Sequence, residues 1–140
     1  MSTFIVDASV AVKWVLRETN SDRATALAAS NALLLAPDIL VVEVANALRK
    51  AVSAARVPRS YAENALAGLR TLFDPLIASN DLIDEAFARA IELRHPIYDC
   101  IYLTASRRLS APLITADIAF AAKVAGTPDA ANVILLADWK

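Results

Sequence analysis

The chain has 140 residues, 57% of them hydrophobic, a formal charge of -1, one cysteine and two glycines. That length bounds one compact domain, expected over residues 1–140, and no uncharged apolar run approaches the ~20 residues of a membrane-spanning helix, so the apolar surplus goes to a core or a subunit interface. Lone Cys100 excludes an internal disulfide and suits a cytoplasmic protein, Gly68 and Gly126 cannot build a glycine-rich phosphate cradle, and the near-neutral charge excludes holding nucleic acid by bulk electrostatics.

Phe4 to Val6 reads as a short buried strand, and Asp7 interrupts the apolar run, which with the missing basic leader argues against a signal peptide. Helices are predicted over Ser9 to Leu16 and Ser21 to Asn31, then a strand over Leu33 to Ala36. A long helix follows from Ile39 to Ala55, a break at Val57-Pro58, and an amphipathic helix from Arg59 to Phe73. Pro75 to Ala78 is a candidate edge strand. Ser79-Asn80-Asp81 signals the N-cap of a helix ending before His95-Pro96, because a residue preceding proline disfavours helical geometry. A helix over Asp99 to Leu109, a strand over Pro112 to Thr115, an Asp117-capped helix to Ala125 and a strand over Val133 to Leu136 complete the chain. Strands alternating with helices imply an α/β fold: a three-layer α/β/α sandwich around a central, mainly parallel sheet.

In such sheets ligands bind beyond the carboxyl ends of the strands. Asp7 and Asp117 each follow a predicted strand, so both project from one edge if those strands are near neighbours. Glu43 sits among Val41, Val42, Val44 and Ala45 with no evident wet face, and a buried carboxylate needs a cation, a hydrogen-bond network or a proton. Asp99 begins an apolar helix after a proline-constrained turn. Each aspartate alone could be nothing more than an N-cap. Four carboxylates pooled together would repel one another unless a cation intervened, and with one histidine and no Cys-His set the donors are hard oxygens suited to Mg²⁺ or Mn²⁺ rather than zinc.

The pieces "VDAS", "EVANAL", "YDCIYL" and "LITAD", in that order and spacing, resemble the PIN-domain ribonucleases, especially the toxin component of VapBC toxin-antitoxin pairs, over nearly the whole chain. The resemblance implies a Mg²⁺-dependent endoribonuclease whose acidic cluster falls on Asp7, Glu43, Asp99 and Asp117. Asp7 and Asp99 would be direct ligands, and Asp117 and Glu43 would bind directly or through water. Ser9, Asn46 and Thr115 occupy positions where such proteins carry small polar residues near the metal. Some relatives place another acid shortly after the last; Ile118 to Ala122 holds none, leaving one or two ions open. The resemblance also implies an antitoxin protein covering the acidic pocket, plausibly with an arginine, and a homodimer.

Substrate contacts would come from a rim of basic residues. Lys13 and Arg17 are i and i+4 on the first predicted helix; Arg49, Lys50, Arg56 and Arg59 surround the end of the long one; Arg107 and Arg108 follow Asp99. Each could equally be a solvated surface charge. Trp14 or Tyr98 could stack on unpaired bases, or belong to the core or an interface. His95 reads as a helix-end residue and Cys100 as a small buried hydrophobe. Two other classes fit in outline. An aspartyl-phosphate enzyme or receiver domain also places Asp at a strand end, but lacks here a second Asp two residues on, where Ser9 stands, and a lysine after "LITADIAF". A non-catalytic PIN-like interaction module would keep the acids as caps.

Overall fold

The computed structural model describes residues 1–140. Four short apolar segments form a parallel sheet in the order β2-β1-β3-β4: β1 (Thr3–Val6), β2 (Leu33–Leu35), β3 (Leu113–Thr115) and β4 (Val133–Leu135). Such continuous apolar runs are what a parallel sheet needs when helices cover both faces. The connections supply α1 (Ala8–Val15), α2 (Ser21–Ala29), α3 (Ile39–Ser53), α4 (Arg59–Leu72), α5 (Ile83–Leu93), α6 (Ile97–Leu109) and α7 (Ile118–Val124). The layers close over a core that includes Ile5, Val6, Leu113, Ile114, Leu103 and Phe120, all fully buried.

The register decides where the carboxylates go. Ile5 pairs with Leu113 and Val6 with Ile114, so β1 and β3 are direct neighbours and end at the same level. The Asp7 backbone N–H donates to Ile114 O at 3.3 Å, extending the ladder by one residue to the edge where the chain turns into α1. Two strands more than a hundred residues apart in sequence thus deliver Asp7 and Asp117 to one place.

Several predicted boundaries shift. Pro75 to Ala78 is not a strand of the sheet: only Ile77 bridges to Pro37, with its N–H donating to Ala36 O at 3.0 Å. Two prolines within reach of so short a segment leave too few donors for a ladder. Ser79 does not cap α5 directly; a 3₁₀ turn over Ser79–Leu82 precedes it. The Ser79 hydroxyl instead accepts the Ile39 N–H at 3.1 Å, while Asp38 Oδ1 accepts the Ser79 N–H at 3.1 Å, so this capping residue serves the start of α3 from forty residues away. α6 starts at Ile97, two residues earlier than predicted, because Pro96 takes the position preceding the helix; Asp99 therefore lies in the first turn instead of at the cap. α1 stops at Val15, with Leu16 extended, so Lys13 and Arg17 do not share a helix face.

Candidate active site

At the carboxyl edge of β1 and β3 a hollow of about 260 Å³ is lined by Asp7, Ala8, Ser9, Val12, Glu43, Asp99, Tyr102 and Asp117. All four sequence-predicted carboxylates stand around it, from the end of β1, the middle of α3, the first turn of α6 and the start of α7. None of the lining side chains is basic.

Asp7 is the deepest, with 3% of its surface exposed. Its Oδ1 accepts the Ser9 N–H at 3.1 Å, the N-cap bond that starts α1, and also the Ser9 hydroxyl. Its Oδ2 accepts the Thr115 hydroxyl at 2.6 Å. The Ser9 and Thr115 oxygens in turn accept the N–H groups of Ala116 and Asp117 at 2.9 and 3.1 Å, locking the β3–α7 turn against the start of α1. Ser9 and Thr115 are thus braces that fix both oxygens of Asp7. Asp117 caps α7 in its own right, its Oδ1 accepting the Phe120 N–H at 3.0 Å. Capping and a place in the hollow coexist in the same residues.

Electrostatics register the convergence. Burial pushes the Asp7 carboxyl up from 3.8 to about 7; the Ser9 and Thr115 bonds oppose the rise, and the Asp99 charge adds to it. Glu43 is raised by burial and by Asp99, and Asp99 is raised by burial and by Asp117, against the lowering effect of His95. Asp7, Glu43 and Asp99 each feel the charge of another carboxylate of the hollow, as like charges in one low-dielectric space must.

Two residues emerge that the sequence reading did not assign to the site. The Tyr102 hydroxyl donates to Glu43 Oε1 at 2.7 Å. His95 Nε2 and Asp99 Oδ2 share a hydrogen bond of 2.5 Å, with the imidazole held against Phe120, ring centroids 5.0 Å apart. For Tyr102 the signal was available: it is i+3 from Asp99 on the same helical face, and a tyrosine in so apolar a segment must find a partner for its hydroxyl; His95 precedes α6 and reaches Asp99 from the turn before Pro96.

Other predicted residues lie elsewhere. Asn46 is exposed and its amide oxygen accepts from Arg49 Nε at 3.1 Å, so it does not line the hollow; the helix turn that carries it is wet, contrary to the sequence expectation, with Val42 63% exposed. Arg107 faces a separate recess, 3.5 Å from Asp129 and beside Arg89. Lys13 pairs with Glu18 at 3.4 Å and Arg17 with Asp22 at 3.2 Å, while Lys50 is exposed. Trp14 belongs to the interior: its indole N–H donates to Ala24 O at 2.7 Å and its ring stacks on Phe73. Tyr98 is exposed next to Asp99. Cys100 is fully buried with its thiol pushed up to about 11 by burial, an unreactive packing residue.

The donor set fits a hard, hydrated cation. No three of the His, Cys, Asp and Glu side chains stand close enough to form a ready ligand cage. Mg²⁺, however, keeps several waters and is bound through one or two carboxylates rather than an all-protein cage. An open ring of acids, Asp7, Glu43 and Asp99 with elevated proton affinity, and no lining base suits that mode, with room for the ion's waters.

A parallel α/β sheet with four acids gathered around a hollow at its carboxyl edge defines the architecture, and likeness to known proteins narrows it. The sequence matches the PIN domain over residues 4–125, most of its length, and the chain belongs to the PIN-domain family. No curated protein sequence matches it. Among solved structures, PAE2754 from Pyrobaculum aerophilum is similar at 23% identity and a TM-score of 0.71, over 97% of this chain and 92% of the other. A toxin-antitoxin complex from Klebsiella pneumoniae contains a chain 20% identical with a TM-score of 0.67, covering 97% and 98%. VapBC2 from Rickettsia felis, bound to a DNA fragment from its promoter, is 13% identical with a TM-score of 0.61, covering 95% and 96%. These likenesses are of fold. No helix is long and apolar enough to cross a membrane.

Proposed function

We propose that the chain is a single PIN domain over residues 1–140 acting as a metal-dependent endoribonuclease, the cytoplasmic toxin of a VapBC-type toxin-antitoxin pair. The observation that carries this reading is the meeting of Asp7, Glu43, Asp99 and Asp117 around one hollow with no lining base. Family membership and the likeness to chains described as toxin-antitoxin complexes support the toxin role.

Asp7 and Asp99 would hold Mg²⁺ or Mn²⁺, with Glu43 and Asp117 contributing directly or through water. Once bound, the ion offsets charge on the phosphoryl oxygens and acidifies water. Everything else falls to the chain. Ser9 and Thr115 keep Asp7 in one rotamer, His95 does the same for Asp99, and any of the four acids lining the hollow would orient or deprotonate an attacking water. Exposed Tyr98, Lys50, Arg49 and Arg56 are the remaining candidates for contact with RNA, because Lys13, Arg17, Arg59, Arg107 and Arg108 already have carboxylate partners. The antitoxin would cover the acidic hollow, an arginine satisfying charge that no lysine or arginine of this chain pairs with. A homodimer would use exposed apolar helix surface such as Phe87 and Ile91, i and i+4 on α5.

The test is sequencing of RNA ends produced by the purified protein. A restricted set of new ends should appear with Mg²⁺ and vanish with chelator and in Asp7→Asn. The same ends at the same yield from Asp7→Asn would overturn the assignment.

A further inference from the structure

We propose that Tyr102 is a positioning residue for the metal site, its hydroxyl holding the Glu43 carboxylate over the hollow by a hydrogen bond that leaves Glu43 charged. This rests on the metal-dependent reading above and adds a residue and a role to it.

Tyr102 is 1% exposed, one of the largest fully buried side chains. A buried phenol must find a partner, and within a helix-rich core a backbone carbonyl is the usual one. Here the O–H group is directed to a carboxylate on another helix, 59 residues away in sequence. The phenol oxygen lies beside the backbone N–H of Ala8, at the start of α1.

Glu43 needs such an anchor. It is only part-buried, next to exposed Val42 and near exposed Asn46, on a stretch of α3 that solvent reaches. Burial and the Asp99 charge both disfavour a carboxylate turned inward. The bond to Tyr102 opposes that bias and occupies Oε1 alone. The choice of donor matters. A lysine or arginine in this place would neutralise Glu43 and compete with a cation, whereas a neutral hydroxyl orients the carboxylate and preserves its charge.

The full-length protein should be titrated with Mn²⁺ alone, free ion being read by electron paramagnetic resonance. Wild-type protein should bind, and Tyr102→Phe, which keeps the ring and removes the hydroxyl, should bind about 10-fold more weakly, the lower end of the range for groups that orient metal ligands. Glu43→Gln should also bind more weakly, and Tyr102→Phe combined with Glu43→Gln no more weakly than Glu43→Gln alone, since the hydroxyl acts through Glu43. A Tyr102→Phe protein that melts lower yet binds Mn²⁺ like wild type would overturn the inference and leave the metal reading intact. Absence of Mn²⁺ binding by the wild type would overturn both. Should Tyr102→Phe fail to fold, wild-type protein carrying ¹³C at the tyrosine ring carbon bonded to oxygen gives the answer. Its Tyr102 resonance should move on adding Mg²⁺, and should not in Glu43→Gln; an unmoved wild-type resonance at saturating Mg²⁺ overturns the proposal.

Discussion

Replacing Asp7 with asparagine separates the charge of the deepest carboxylate from its shape, and the two contribute to stability with opposite signs. In the unfolded chain Asp7 ionises at 3.8; in the folded protein burial holds the carboxyl protonated up to about 7. Between those values the folded state keeps a proton that the unfolded state has released, so the fold loses stability as pH rises. The loss amounts to about 4 kcal/mol over the whole interval and about 3 kcal/mol between pH 5 and pH 8. For a chain of this size that is roughly 10 °C in melting temperature. Asparagine cannot titrate, but neither can it accept hydrogen bonds on both atoms as Asp7 does from Ser9 and Thr115, and each lost bond costs about 1 kcal/mol. The expected result, by thermal melts in chelator, is a crossing. At pH 5 the wild type is the more stable; at pH 8 Asp7→Asn is level with it or above, while Glu43 and Asp99, also raised, give both proteins a shared residual slope. With Mg²⁺ at pH 8 the wild type regains stability and the variant does not, since only the charged form gains from the ion. Parallel melting curves from pH 5 to pH 8 would refute the claim that Asp7 is the buried acid whose charge the fold opposes and a cation relieves.

Arg89→Ala should destabilise by about 3 kcal/mol in urea titrations, because it removes the main partner of Asp129, which is 3% exposed and otherwise left with Arg107 at 3.5 Å. Mn²⁺ affinity should be unchanged, as that recess is not the acidic hollow; a loss below 1 kcal/mol would show that Asp129 does not need the pair. Ser79→Ala should cost about 1 kcal/mol by uncapping α3, with faster hydrogen exchange at the Ile39 amide, and unchanged exchange there would refute the cap.

The alternation of short apolar runs with helical periodicity was enough to read the layers, because a parallel sheet covered on both faces leaves no room for polar alternation in strands such as Phe4 to Val6 or Leu113 to Thr115. Strand order was not readable. That β1 lies beside β3 depends on helix packing across the whole chain, and the meeting of Asp7 with Asp117 was therefore conditional until the register was seen. The cap signal at Ser79 misled for a related reason: local sequence shows that a hydroxyl is available to a helix start, and only tertiary structure shows that the start is that of α3.

At the site, an apparent choice between capping and function dissolves. A cap occupies few of the acceptor positions on a carboxylate, and the geometry that places an aspartate at a strand-to-helix turn also points it past the sheet edge. Asp117 illustrates this: Oδ1 closes the first turn of α7 while the residue lines the hollow. What the sequence supplied only in part was the set of groups that hold the acids still. The family resemblance points to Ser9, Thr115 and Asn46 alike, yet Asn46 turns to Arg49; His95 reads from sequence as a helix-end residue, and nothing in the local pattern singles out the contact between Tyr102 and Glu43. The distinction is physical. An acid at a strand end is fixed by one local turn, whereas a group that orients it is chosen by which helix happens to pack opposite, so the residues that ionise are written in local pattern and the residues that aim them are written only in the packing.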